Sequence, residues 1–181
     1  MTNYENLKKH VRDIPDFPKP GVIFRDITPI LADEELFRTM IYAMQHAAID
    51  ISPYPHTTHI IAAPESRGFI MASVLAFQMN AGFVPMRKPG KLPAKTLNCQ
   101  YDLEYGSAEL QIHADAIKPG QTVLIVDDVL ATGGTLLAGC ELVRQAGGIL
   151  LGCVVLVDLV DLGGRKKIES AGIKIKTLLQ Y

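Results

Sequence analysis

Val123-Leu124-Ile125-Val126-Asp127-Asp128-Val129-Leu130-Ala131-Thr132-Gly133-Gly134-Thr135 joins an apolar run, two adjacent acids and a small-residue turn. Val123 to Val126 is β-branched and apolar, which suits a strand covered on both faces of a parallel sheet. Asp127 and Asp128 are then expected where that strand leaves the core. Leu136 to Gln145 reads as a helix with Leu136, Leu137, Cys140, Leu142 and Val143 on its buried side, so the turn Ala131 to Thr135 opens at a helix N-terminus. Unpaired N–H groups and the positive end of the helix dipole attract an anion there. Gly133 and Gly134 let the backbone come close to a ligand, and Thr132 and Thr135 add hydroxyl donors. Other phosphate motifs fit worse: the turn has neither the lysine of a P-loop nor a Gly-x-Gly-x-x-Gly run. Adjacent acids at a strand end can accept hydrogen bonds from two ribose hydroxyls, or orient the water shell of a Mg²⁺ held mainly by substrate oxygens. Asp-Asp alone also fits an ordinary acidic strand end; the whole stretch reads as a seat for a sugar phosphate.

Working outward, helix and strand patterns alternate. Asp33 to Ile49 is an amphipathic helix ending before Pro53-Tyr54-Pro55, His59 to Ala63 a buried strand, Phe69 to Asn80 a helix stopped by Gly82, and Phe83 to Arg87 a strand. Lys88 to Asn98 is basic and rich in Pro and Gly, and Tyr101 to His113 alternates like a hairpin around Gly106. Further strands are expected at Ile149 to Leu156 and Ile173 to Leu179. This order implies an α/β fold with a central, mostly parallel sheet flanked by helices, right-handed crossovers, and ligands outside the carboxyl ends of the strands.

Length and composition agree with that reading. A chain of 181 residues, 48% hydrophobic, suits one domain, 1–181, with a proper core. The net charge of −1 offers no broad basic field, so no nucleic-acid partner is expected and any anion site must be local. Met1 to Ile14, with Leu7, Val11 and Ile14 at helical spacing, reads as a docking helix and not a signal peptide. The longest apolar run, Ile149 to Val160, contains Gly152 and Asp158 and is too short to span a bilayer, so no membrane partner is expected. Cys99, Cys140 and Cys153 form no even framework and no Cys-x-x-Cys, which suits a reducing cytoplasm. His56-x-x-His59 lacks a second ligand pair and reads as a loop or strand entry before it reads as a metal site.

A second anion seat lies in Ala63-Pro64-Glu65-Ser66-Arg67-Gly68, again between a strand and a helix. N–H groups from Ser66 to Gly68 can point at a ligand and Arg67 can grip it through its planar fork, although a surface arginine beside an acid is the plainer reading of Arg67 alone. Together with the first stretch, this segment resembles the type I phosphoribosyltransferases over nearly the whole chain. Four further segments narrow the resemblance to the branch that acts on adenine.

The resemblance implies the type I fold with an N-terminal base-binding hood (1–32) and a flexible catalytic lid (88–113). It implies that Asp127, Asp128, Ala131, Thr132, Gly133, Gly134 and Thr135 hold the phosphoribosyl group. Glu65, Ser66 and Arg67, with a cis bond between Glu65 and Ser66, would hold pyrophosphate together with Arg87, Lys88 and Lys91, in part across a dimer interface. From the residues alone, Lys91 is equally a solvated loop cation. In Tyr101-Asp102-Leu103-Glu104-Tyr105-Gly106, Glu104 would relay the proton of the purine nitrogen and Tyr105 would belong to the lid; a solvated hairpin charge is the other reading of Glu104, and the better one for Glu109. Phe24 would stack on the base, backbone near Ile23 would read its edge, Arg25 would contact a ring nitrogen and Leu159 would close the opposite face.

Implied too are the substrates phosphoribosyl pyrophosphate and adenine, the products AMP and pyrophosphate, Mg²⁺ as cofactor, a homodimer and a cytoplasmic location. Two departures bear on this: Pro64 stands where smaller residues are common, and Cys99 where a polar lid residue is expected. The alternatives are a 6-oxopurine phosphoribosyltransferase, and a non-catalytic regulator of the same fold that senses phosphoribosyl pyrophosphate. For the regulator the chain has neither room for a DNA-binding domain nor the basic charge.

Overall fold

Ile14 precedes Pro15, and a residue before proline is pushed out of the helical region toward extended backbone. In the computed structural model, which describes residues 4–52, 58–102 and 107–181, the docking helix expected over Met1 to Ile14 accordingly stops short of Ile14. A 3-10 turn covers Tyr4–His10, and β1 (Arg12–Pro15) then pairs antiparallel with β2 (Ile23–Asp26), setting Ile14 opposite Phe24. After α1 (Thr28–Ala32) comes α2 (Glu34–Ile51). Asp33 caps α2, its Oδ1 accepting from the N–H groups of Glu35 and Leu36 at 3.0 and 2.9 Å, so the helix starts one residue later than its periodicity suggests. The chain forms two compact units, Met1–Ala43 and Met44–Tyr181.

The larger unit is built on five parallel strands: β3 (Ile60–Pro64), β4 (Gly82–Met86), β7 (Thr122–Leu130), β8 (Ile149–Asp158) and β9 (Ile175–Gln180), in the order β4-β3-β7-β8-β9. From β3 the chain passes through α3 (Gly68–Gln78) to β4 on one side; from β7 it passes through α4 (Gly134–Gln145) to β8 on the other. Crossovers of one hand running in opposite directions put the two helices on opposite faces. The core follows that division. Ile60, Ala62, Val123, Ile125, Cys153 and Val155 pack with Leu136, Cys140 and Val143 of α4, whereas α3 lies against β3, β4 and β7. Between β3 and β7 the chain therefore leaves in two directions, which opens a crevice at their carboxyl ends.

β7 is longer than the apolar run that announces it. It continues to Leu130 because β8 runs beside it as far as Asp158, with Asp127 opposite Val155 and Leu130 opposite Asp158. Asp127 and Asp128 thus lie inside the strand, 8% and 6% exposed, and not beyond its exit. Pro64 is accommodated because β3 pairs with β7 only through Ala62, and a missing N–H two residues further on breaks no bond of that ladder. The other proline of the sheet, Pro85, sits on β4, an edge strand.

The hairpin starts earlier than expected: β5 (Thr96–Asp102) pairs with β6 (Ser107–His113) from Thr96 opposite His113. Leu97, Cys99 and Tyr101, at the period-two spacing of a strand, pack against the core, which explains an apolar residue at Cys99. Two helices escaped the sequence reading, α1 and α5 (Gly164–Ser170), because five and seven residues are too short for a period of 3.6 to declare itself. Ile125, fully buried on β7, tests the packing of α4 on the sheet. Ile125→Ala is expected to cost about 2–5 kcal/mol of stability, read by urea denaturation; a loss below about 1 kcal/mol would mean that this face is loosely packed.

Candidate active site

Two loops meet at the crevice between β3 and β7. The first leaves β7: Gly133 takes φ +82° as the residue before α4, and among the described residues the N–H groups of Thr132, Gly133, Gly134 and Thr135 donate to no backbone carbonyl. They surround a cleft of about 140 Å³ lined by Asp127 and by residues from Val129 to Leu136. Unsatisfied donors at a helix N-terminus form an anion seat. Thr135 also carries its hydroxyl 3.4 Å from that of Tyr101 on β5, so the hairpin touches the rim of this cradle.

The second loop leaves β3. Its Glu65–Ser66 bond is cis, as the resemblance implied. Arg67 Nε lies 2.5 Å from Asp128 Oδ2, joining the two loops by a charge contact. That contact lacks hydrogen-bond geometry, so Asp128 Oδ2 is a buried acceptor still able to receive a hydroxyl proton. Asp128 N–H donates to Asp127 Oδ1 at 2.9 Å. Burial, then the charge of Asp128 and the hydrogen bond between the two side chains, push the Asp127 carboxyl well above its ordinary 3.8; the Asp128 N–H and Arg67 oppose this and lose. Two adjacent acids that do not both ionise easily can accept from neighbouring hydroxyls, and their hard oxygens suit hydrated Mg²⁺.

Arg87 settles beside the second loop of its own chain. β4 neighbours β3, with Met86 opposite Pro64, so the next residue reaches Glu65, which it grips as an ion pair. Its guanidinium also lies 5.7 Å from the centre of the Phe69 ring. Burial raises the Glu65 carboxyl, but the Arg87 hydrogen bond and charge, together with the Lys88 backbone N–H and charge, bring it below its ordinary 4.5. Lys88 and Lys91 are exposed, on a turn closed by the Lys91 N–H on the Lys88 carbonyl at 3.3 Å. Leu159 is half-buried and its N–H donates to the Leu130 carbonyl at 2.9 Å, beside the cradle.

Ile23, Phe24 and Arg25 belong to the smaller unit. There Ile23 is 49% exposed, Phe24 meets Phe17 edge-to-face at 5.2 Å, and Arg25 pairs with Asp13. Glu104 and Tyr105 lie outside the described residues. His59 Nδ1 lies 2.7 Å from Thr122 Oγ1, where it ties the start of β3 to the start of β7; His56 lies outside the described residues. The sequence reading passed over Gly164, which packs against the back of the cradle: its carbonyl oxygen lies 3.1 Å from where a Cβ on Gly133 would stand. The only signal was a Gly-Gly pair a few residues after Leu159.

A crevice at a switch point, with an anion cradle and a buried acid pair, defines a sugar-phosphate enzyme site. The phosphoribosyl transferase domain family matches residues 34–176, and the chain belongs to that family. Within it, the chain is 51% identical to an adenine phosphoribosyltransferase of Kosmotoga olearia and 48% identical to one of Carboxydothermus hydrogenoformans, in each case over 97% of this chain and 99% of the relative. The crystal structure of adenine phosphoribosyltransferase from Thermoanaerobacter pseudethanolicus superposes with a TM-score of 0.92 at 46% identity, covering 99% of this chain and all of that one. The Saccharomyces cerevisiae enzyme, complexed with an imino-altritol bisphosphate and adenine, gives 0.92 at 37% identity over 99% of this chain and all of that one.

Folding raises the pKa of Asp127, so the folded protein holds that proton more tightly than the unfolded chain does. The resulting stability is complete below the unfolded value of 3.8 and is lost as pH rises through the folded value. Asp127→Asn cannot ionise, and is expected to show a smaller fall in Tm than wild type between about pH 4 and pH 8. Equal falls in the two proteins would show that the pair does not titrate in this way.

Proposed function

We propose that the chain transfers the 5-phosphoribosyl group from phosphoribosyl pyrophosphate to adenine, forming AMP and pyrophosphate in purine salvage. The observation that carries this reading is the meeting of the Ala131–Thr135 cradle with the Arg67–Asp128 contact at one crevice. The yeast relative, complexed with adenine and a bisphosphate, supports the choice of base and donor.

In this reading the N–H groups of Thr132 to Thr135 hold the 5-phosphate, and Asp127 and Asp128 accept from the ribose hydroxyls. Glu65, Ser66 and Arg67 form the pyrophosphate seat, flanked by Arg87, Lys88 and Lys91. Arg87 serves its own chain, since it is engaged with Glu65 there. Asp127 and Asp128 would orient the water shell of a Mg²⁺ brought by the donor, and that ion would supply charge neutralisation to the pyrophosphate. Charge moves toward that leaving group while positive charge develops at the anomeric carbon, so these residues act chiefly by positioning and by preorganised electrostatics. Phe24 stacks on adenine, the Ile23 backbone and Arg25 read its edge, and Leu159 closes the other side. A site that hydrogen-bonds a 6-amino group leaves buried groups mispaired with a 6-oxo ring, which makes discrimination strong.

Glu104 takes the proton of the attacking nitrogen, and Tyr105 belongs to the lid over the reaction. The active form is a homodimer; Ile70 and Phe77, 42% and 86% exposed on one side of α3, support a covered face there. Three free cysteines support a cytoplasmic location. Among the described residues no helix is long and apolar enough to cross a membrane.

The reading is tested by following product formation with adenine, hypoxanthine, guanine and xanthine in turn. Product from adenine alone is expected; turnover of a 6-oxopurine would redirect the assignment, and none at all would favour a binding protein. Gly133→Val should abolish donor binding in calorimetry while the protein stays folded, since valine neither takes φ +82° easily nor clears the Gly164 backbone. An unchanged donor affinity would remove the cradle assignment. Glu104→Gln is expected to lower kcat by roughly 10²–10⁴-fold with donor affinity nearly unchanged; a loss below roughly tenfold would leave Glu104 a solvated hairpin charge.

A further inference from the structure

The turn after β8 approaches the phosphate cradle with no side chain between the two backbones. A Cβ built on Gly164 would lie 2.1 Å from the Ala131 carbonyl oxygen, 2.9 Å from Leu130 Cδ1 and 3.0 Å from the Gly133 nitrogen. From the other side, a Cβ on Gly133 would lie 3.1 Å from the Gly164 carbonyl oxygen and 3.4 Å from its Cα. A contact of 2.1 Å cannot be absorbed, so one of the two segments must move if residue 164 carries a side chain.

Which one moves follows from how each is held. The turn is fixed to the ends of the sheet: Leu159 N–H donates to Leu130 O at 2.9 Å, Val160 N–H to Tyr181 O at 2.9 Å, and Tyr181 N–H to Asp158 O at 3.0 Å. Arg165 then pins the start of α5, donating through Nη1 to Thr177 Oγ1 at 3.3 Å and through Nε to Glu169 at 3.0 Å. The cradle is held on fewer sides: Gly133 O accepts from Leu137 N–H at 3.0 Å and Thr135 Oγ1 lies 3.4 Å from the Tyr101 hydroxyl, but among the described residues the N–H groups of Thr132 to Thr135 donate to no backbone carbonyl. The cradle therefore yields.

We propose that Gly164 is a positioning residue for the reaction: its bare backbone is the rear wall that sets the Ala131 carbonyl and the Gly133 N–H in the register that a bound phosphate needs, and Arg165 holds that wall in place. This rests on the reading of Ala131–Thr135 as the 5-phosphate seat. Gly164 touches no substrate in this role; it acts through the backbone of Gly133. Its effect should fall on donor binding and leave the chemical step alone.

The test uses ribose 5-phosphate as a calorimetric probe, since it carries the ribose and its phosphate but neither pyrophosphate nor base. Gly164→Ala is expected to raise its Kd by roughly tenfold or more, and to raise KM for phosphoribosyl pyrophosphate to a similar extent, with kcat within roughly threefold and KM for adenine unchanged. Gly163→Ala is the control. That residue has φ +69° with nothing within 4 Å of its Cβ position, so the variant strains the same turn without pushing the cradle. It should lower Tm yet keep the ribose 5-phosphate Kd within roughly threefold of wild type. Ribose 5-phosphate binding by Gly164→Ala within twofold of wild type, or an equal loss in Gly163→Ala, would overturn the proposal. If Gly164→Ala does not fold, Arg165→Ala decides: weaker binding by roughly threefold or more supports the wall, and unchanged binding removes it. A wild type that fails to bind ribose 5-phosphate would remove the phosphate-seat reading, and the wall with it; a wild type that binds while the variants bind equally well removes the wall alone.

Discussion

The pairing of β3 with β7, from Ile60 opposite Val123 to Ala62 opposite Ile125, is the constraint on which the rest of the site depends. It sets side by side two strands whose following helices depart to opposite faces, so their carboxyl ends part and leave a crevice. Each loop emerging there opens a helix, and each brings one half of the chemistry: Glu65 to Arg67 from β3, Asp127 to Thr135 from β7. Even the entry to the pair is tied, by His59 against Thr122. Any shift of this register would separate Arg67 from Asp128, since neither loop has the length to follow.

The electrostatics build on that placement. Two adjacent carboxyls are held inside a strand and almost wholly buried, a costly arrangement in a medium of low dielectric constant. The cost shows in the Asp127 carboxyl, which burial and then the charge of Asp128 push well above its ordinary range, and the Arg67 guanidinium set against Asp128 offsets part of it. The second arginine, Arg87, is matched to Glu65 in the same way, and there the carboxyl is held below its usual range. The contrast between the acids has two causes: Asp127 is the more deeply buried and faces another acid, while Glu65 faces a cation at hydrogen-bonding range. A crevice that shifts one carboxyl up and another down, beside an open set of N–H donors, meets hydroxyls and phosphate oxygens with different groups.

Much of this was legible in the residues. The run Val123 to Val126 declared a buried strand, the alternation of β and α patterns declared a parallel sheet, and Gly133 with Thr132 and Thr135 declared an anion turn, because local pattern and backbone permission are properties of short stretches. Proline was read less well. Ile14 matched a helical spacing from Leu7 and Val11, yet the residue after it is Pro15, and extended backbone won. Cys99 looked out of place until its neighbours two residues away, Leu97 and Tyr101, were seen to face the core with it.

What the sequence by itself determined is the set of elements and the chemical character of the cradle, since strand, helix and turn propensities act within a few residues. What only the tertiary structure decided is which distant residues meet there. β7 extends past its apolar run because β8 lies beside it to Asp158, and this buries Asp127 and Asp128 inside the ladder. Arg87 reaches Glu65 because β4 neighbours β3, and Gly164 reaches Gly133 because the turn after β8 folds back over the end of β7. These contacts join segments 22 to 31 residues apart along the chain, and no local preference specifies them; they follow from strand order and from the direction of each crossover.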